Sequence, residues 1–263
     1  MKRRSFIKTT ALTGLAMGLG ACRRESKTHI LTLSFDDGFK KSFYRIAEIH
    51  EQFSLQACLN IIASAHIPEW NSPNEYHDPV AGNFDDWNAL KERGHEIMPH
   101  SWAHNNLAEL PFEEAAALID RCLDYFESHL HGFITAEAIY NFAYNASTPE
   151  LEQYALKRVR AVRTGGWDIL GDTMANPFPS SSGPFRLGCW SYGPDNADAW
   201  VEEEVNKFLN TSGGWLILNL HGLDEEGWGP LSSRYMTGLL KRLVVIEHLN
   251  ILPAGEVIKR YIV

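Results

Sequence analysis

Leu33-Ser34-Phe35-Asp36-Asp37-Gly38 sets two carboxylates side by side, and His100-Ser101-Trp102-Ala103-His104 sets two imidazoles four residues apart. Together they offer three side chains of metal-ligand type and one spare carboxylate, the parts needed for metal-assisted hydrolysis. Three nitrogen or oxygen ligands leave a coordination position open for water, the arrangement of a catalytic rather than a closed structural zinc site. A bound divalent ion brings the pKa of its water toward about 7, and a neighbouring carboxylate can then take the proton. Adjacent aspartates at a strand end point in different directions, so one can bind metal while the other serves as base. The two histidines reach one ion if Ser101 to Ala103 form a helical turn. A third imidazole, His221, closes the apolar run Trp215 to Leu220. A histidine suits protonation of a departing amine or alkoxide, because an imidazole can carry and release a proton near working pH.

These residues need elements to carry them. His29 to Phe35 reads as a buried strand that ends at the aspartates, with Gly38 allowing a sharp turn. Phe39 to Gln52 has the apolar spacing of an amphipathic helix, and Ala57 to Ile62 is a second strand. Ala65 to Gly82 holds Pro68, Pro73 and Pro79 and reads as an irregular loop. Phe84 to Arg93 is helical, Glu96 to Pro99 leads into the histidine pair, and Pro111 to Leu130 is the most regular helix. Ala138 to Tyr144, Ala161 to Arg163 and Trp215 to Leu220 are further strands; Ala199 to Leu209 and Ser232 to His248 are further helices. This alternation predicts an α/β fold with a largely parallel sheet covered by helices, in which ligands gather at the loops after strand ends.

The first 21 residues are set apart as an address. Arg3-Arg4 precedes the uncharged stretch Ala11 to Ala21 and then Cys22, and the stretch is too short for a membrane span of roughly 20 residues. The segment resembles a twin-arginine export signal, and Leu19-Gly20-Ala21-Cys22 resembles a bacterial lipobox. That resemblance implies a mature chain of residues 22–263, anchored through a lipidated Cys22, and Arg23 after it favours the periplasmic face of the outer membrane. Loss of Lys2, Arg3, Arg4 and Lys8 leaves 20 basic against 33 acidic side chains, a formal charge of −13. Nucleic acid is therefore excluded as a partner, since phosphate binding needs clustered lysine and arginine. The length fits one catalytic domain. Cys58, Cys122 and Cys189 lack metal-type spacing and read as buried thiols, with one disulfide as the alternative. The sequence leaves the oligomeric state open.

Ser34-Phe35-Asp36-Asp37-Gly38 resembles the T-F-D-D-G hallmark of the polysaccharide deacetylase family with NodB homology, also called carbohydrate esterase family 4. His100-Ser101-Trp102-Ala103-His104 matches its H-[ST]-x-x-H hallmark, and Leu218-Asn219-Leu220-His221 resembles its late L-x-x-H motif. The resemblance implies a deformed (β/α)7 barrel, a carbohydrate substrate and a metal-dependent deacetylase. It implies Asp37, His100 and His104 as ligands of zinc or a similar divalent ion, Asp36 as general base and His221 as general acid. The family's R-x-P-Y motif is met only by Phe142-Ala143-Tyr144-Asn145-Ala146, which lacks the arginine that orients the base. Arg163, from a neighbouring strand, is the expected substitute, and the backbone N–H of Ala146 is the expected oxyanion donor. Trp102, Trp167, Trp190 and Trp228 are candidates for stacking on sugar faces. Removal of an N-acetyl group is the leading expectation, ahead of O-acetyl ester cleavage on the same site and of a non-catalytic glycan-binding lipoprotein.

Overall fold

The computed structural model describes residues 28–70, 80–179 and 185–261, so the expected export signal, Cys22 and the middle of the loop expected over 65–82 lie outside the described residues. Strand β1 (His29–Phe35) is buried along its whole length, as a central strand paired on both edges must be when one face turns into a barrel and the other is covered by helices. The chain continues through α1 (Lys40–Glu51), β2 (Cys58–Ile61), α2 (Phe84–Glu92), β3 (Glu96–Pro99), α3 (Phe112–His129), β4 (Ile139–Asn141) and α4 (Pro149–Ala155). It ends with β5 (Ala161–Gly165), α5 (Gly166–Leu170), β6 (Phe185–Ser191), α6 (Asp198–Leu209), β7 (Gly214–Leu220), α7 (Ser233–Leu243), β8 (Leu249–Ile251) and α8 (Ala254–Tyr261).

The strands pair in parallel in the order β3-β2-β1-β7-β6-β5-β4, with β8 added beside β1. The sheet curls until β3 and β4, the two ends of the order, lie against each other. No ladder joins them. Instead the Asn141 side-chain amide donates to the Pro99 carbonyl at 3.1 Å, and His100 Nδ1 meets the Asn141 carbonyl at 3.1 Å. This is the deformed seven-stranded barrel that the family resemblance implies.

Local chemistry explains the covering helices. In α1, Phe43, Ile46, Ala47 and Ile49 form the face turned to the sheet. The start of α2 is fixed by Asn83, whose side chain accepts from the Asp85 and Asp86 N–H groups while Asp86 reaches back to the Asn83 N–H. Thr148 caps α4, with Pro149 in the first turn, where a missing N–H costs nothing. All three described cysteines are free and buried.

Several expectations need correction. Strand β4 is only three residues long, because Tyr144 and Asn145 both take left-handed backbone angles (φ 59° and 51°) and turn the chain away. The expected helix over 232–248 stops at Leu243. Strand β6 lies in a stretch to which the sequence reading assigns no element. No helix among the described residues is long and apolar enough to cross a membrane.

Candidate active site

Strand β1 delivers Asp36 and Asp37 to the C-terminal rim of the sheet. Asp36 still follows the strand, its N–H donating to the Leu220 carbonyl at 2.8 Å. Asp37 does not: it takes a left-handed φ of 81°, which aspartate tolerates better than most residues, and Gly38 follows at 87°. The two carboxylates therefore part company within one residue, and both are buried.

The histidine pair is also positioned by a turn, not by the helical turn expected from its spacing. Ser101 and His104 both lie in the left-handed region (φ 65° and 57°), and the Ser101 hydroxyl accepts from the His104 N–H at 2.9 Å. The bend swings both rings toward Asp37. His104 Nε2 lies 3.3 Å from Asp37 Oδ1 and His100 Nε2 lies 3.5 Å from the same oxygen. One ligand atom from each of the three residues falls within 4.8 Å of the others.

The donor set fits a divalent ion. Two atoms each 2.0–2.2 Å from a tetrahedral centre are about 3.3–3.6 Å apart, and these nitrogens lie 3.5 and 3.3 Å from the aspartate oxygen. The carbonyl of Asn141 accepts from His100 Nδ1, which fixes the tautomer and leaves the Nε2 lone pair turned to the ion's position. Burial pushes His104 down to about 4, so its imidazole is neutral at neutral pH, as a metal ligand must be. Burial alone would raise the Asp37 carboxyl, but the facing imidazoles, His104 first, outweigh it and hold Asp37 well below the usual range.

Asp36 is gripped from three sides. Its Oδ1 accepts from the Asn60 amide at 2.8 Å, and its Oδ2 accepts from Arg163 Nη2 at 2.6 Å and from the Asn219 amide at 2.7 Å. Arg163, on β5, is one of the largest fully buried side chains, and it supplies a guanidinium to Asp36 from the strand beside β4, across the mouth of the barrel from β1. Burial would raise the Asp36 carboxyl; Arg163, then His100 and His221, reverse this and hold it below the ordinary range. His221 follows β7 and lines the same pocket as Asp36, Asp37, His100 and His104. Its ring packs edge-on against Trp228 (5.4 Å, 85°), and its Nδ1 is buried without a hydrogen-bond partner among the described residues.

The Ala146 N–H is placed otherwise than expected. It donates to the Ala143 carbonyl at 3.1 Å within the turn, and Ala146 does not line the pocket, so the donor is engaged elsewhere. Tyr144 and Asn145 line the pocket instead, with the Tyr144 ring 4.6 Å from that of His104. Sequence reasoning passed over Asn60, Asn141, Asn145 and Asn219. The signal was available: Asn60 and Asn219 stand inside buried apolar runs, where an amide must be hydrogen-bonded.

Residues 23–159 match the polysaccharide deacetylase family, slightly more than half of the chain. The chain belongs to that family. Its fold is similar to the peptidoglycan deacetylase PdaC from Bacillus subtilis, at 15% identity and a TM-score of 0.53 over 88% of this chain and 91% of that one. A putative polysaccharide deacetylase from Mycobacterium smegmatis aligns at 12% identity and a TM-score of 0.59, covering 90% of this chain and 91% of that one. A mutant of a CE4 family pseudoenzyme aligns at 13% identity and a TM-score of 0.54, covering 92% of this chain and 70% of that one. No curated protein matches. These likenesses carry the fold; the chemistry rests on the side chains of this chain.

Proposed function

We propose that the chain is a metal-dependent hydrolase that removes the acetyl group from an N-acetylated amino sugar within a polysaccharide. The observation that carries this reading is the convergence of Asp37, His100 and His104 beside a separately held Asp36 in one pocket. The similar structure from Bacillus subtilis is a peptidoglycan deacetylase, which supports an N-acetylated sugar as the substrate.

Asp37, His100 and His104 would hold the divalent ion, with zinc as the leading choice, and the ion when bound supplies a polarised water at neutral pH. The remaining work falls to the chain. Asp36 takes the proton of the attacking water. Arg163, Asn219 and Asn60 fix its orientation, and Oδ1, with one partner, keeps a lone pair open for that proton. His221 gives a proton to the departing nitrogen, and Trp228 holds its ring in place. The neutral amine then leaves and the acetate stays behind. The acidic mature surface accords with a substrate that carries no phosphate backbone.

The test is acetate release by purified protein from N-acetylglucosamine oligomers and from acetylated xylan, after chelation and after zinc is restored. Release from the oligomers that disappears with the chelator, returns with zinc, and is abolished in Asp36→Asn while metal is retained, supports the reading. Release from xylan alone would make the protein an O-acetyl esterase, and none from either would make it a glycan binder. We further propose that the protein is exported and anchored at the periplasmic face of the outer membrane through Cys22, on the evidence of Arg3-Arg4 and Leu19-Gly20-Ala21-Cys22. Incorporation of labelled palmitate that is lost in Cys22→Ala tests this.

A further inference from the structure

The turn that carries the two histidines is backbone under strain. Ser101 and His104 both hold left-handed angles (φ 65° and 57°), and residues with a Cβ keep such angles only where their surroundings over-determine them. Part of that constraint is a set of hydrogen bonds that takes up the carbonyls of the turn one after another. The Ala63 N–H donates to the Ser101 carbonyl at 3.1 Å, and Ser64 donates twice to the Trp102 carbonyl, from its N–H at 2.9 Å and its hydroxyl at 2.7 Å. The Trp70 indole N–H donates to the Ala103 carbonyl at 3.3 Å.

The rest comes from the side chain in the middle of the turn. Sequence alone offers Trp102 as a platform for a sugar, but it is only 8% exposed and does not line the catalytic pocket. Its indole packs instead against two residues of α3 that stand four apart and so share a helix face. The Arg121 guanidinium lies over it, with Cζ 3.9 Å from the ring centroid, and the Tyr125 ring meets it edge-on (5.4 Å, 80°). Arg121 is exposed, so the cation forms the outer layer of this contact and shields the indole from water. Tyr125 is itself held, its hydroxyl 3.1 Å from His66 Nε2 and its ring stacked on His129 at 3.8 Å. Helix α3 contributes no side chain to the catalytic pocket, yet it grips the residue that lies between the two imidazoles.

We propose that Trp102 and Arg121 are positioning residues for the metal site. The indole, pinned to α3 by the cation and by Tyr125, keeps residues 100–104 in their left-handed turn, so that His100 and His104 face Asp37 before an ion arrives. The inference rests on the metal-binding role proposed for Asp37, His100 and His104, and it adds that a contact outside the pocket, and not the ion, sets the spacing of the imidazoles.

Two measurements on the purified chain test this. The first is amide hydrogen exchange in the presence of a chelator, read at Ala63, Ser64 and His104, whose N–H groups bond to the turn. These amides should be protected without metal, and Arg121→Ala, a surface change that leaves the core intact, should quicken them roughly 3- to 10-fold. The second is zinc affinity, by competition with a chelating indicator, together with the visible absorption of the cobalt-loaded protein, which reports ligand geometry. Trp102→Leu should weaken zinc about 10- to 100-fold and alter the cobalt spectrum, and Trp102→Phe, which keeps a ring for the cation, should recover most of the affinity. Phe208→Leu, a core truncation on α6 beside the start of β1, should leave both unchanged, which separates positioning from general loss of stability. Amides that are unprotected in the chelated wild type and become protected only with zinc would show the ion making the turn, and would overturn the proposal. Unchanged zinc affinity in Trp102→Leu, or an equal loss in Phe208→Leu, would overturn it too. Protected amides that respond to Arg121→Ala in a chain that binds no divalent ion would sink the metal reading and leave the clamp on the turn standing.

Discussion

Replacing Arg163 by methionine removes the guanidinium from Asp36 while filling nearly the same volume. Both side chains are almost wholly buried, 1% and 2% exposed, and the contact is 2.6 Å. Breaking a buried ion pair on one side costs roughly 3–5 kcal/mol, because the other charge is left uncompensated in a poorly polarisable interior. Asp36 keeps its amide donors from Asn60 and Asn219, which places the loss near the lower end, about 3 kcal/mol. For a domain of this size each kcal/mol moves the melting temperature by about 2–4 °C, so Arg163→Met should melt roughly 6–12 °C below the wild type. Asp36→Asn should cost a similar amount, since it strands the guanidinium. The double variant should then be less damaged than the sum, with a coupling of about 2 kcal/mol or more. Thermal melts of the four proteins measure this, and zinc stoichiometry run beside them should stay unchanged, because Arg163 is not among the ligands. Acetate release should fall about 100-fold in Arg163→Met, the usual cost of a base misplaced by about 1 Å. A single variant that melts within 2 °C of the wild type, or two losses that simply add, would refute the argument.

Three other outcomes are expected. Zinc at about 100 times its dissociation constant should stabilise the protein by about 2.7 kcal/mol, and His104→Ala should abolish the shift in a thermal denaturation assay. His50, buried on α1 with Nδ1 2.8 Å from the Ile46 carbonyl, is pushed by burial down to about 4. Its stabilising contribution is therefore complete above the unfolded value of about 6.5 and is lost as pH falls from there toward about 4. Urea denaturation at pH 7 and pH 5 should show about 2 kcal/mol of pH-dependent loss that is missing in His50→Gln. Gly193→Ala would place a methyl 2.5 Å from the Trp228 indole, which must move and release the His221 ring; acetate release should drop about tenfold, by assay on the oligomers, with melting changed by only a few degrees.

The parts of the fold that were legible in the sequence are those where one force dominates. Strands β1 and β7 are buried on both faces, so their apolar runs are nearly unbroken and admit little else. The two aspartates at the end of β1 and the imidazole after β7 follow directly from those runs, and the metal-type residues announced themselves by chemistry. Strand β6 was hidden because Arg186, Gly188 and Ser191 interrupt it and prolines flank it; pairing with β5 and β7 makes it a strand, not local preference. The bend at His100 to His104 was misread for a related reason. Spacing of four suggests a helical face, whereas the left-handed angles at Ser101 and His104 come from the turn that must leave β3 and cross the rim. Arg163 was noticeable as a lone cation in a buried strand. Asn60 and Asn219 carried the same kind of signal in quieter form, an amide where only hydrocarbon was expected.

The junction of β3 and β4 gives the barrel a hinge line. Elsewhere around the wall, widening by an ångström would unzip a run of backbone bonds; there it strains only the Asn141 amide and the contact from His100 to the Asn141 carbonyl. His100 stands on that lip, with only β2 between its strand and β1, whose end carries Asp37. An ion held by both would brace β3 against β1 and leave the seam itself to the Asn141 contacts, so the barrel should open there first whether or not metal is bound.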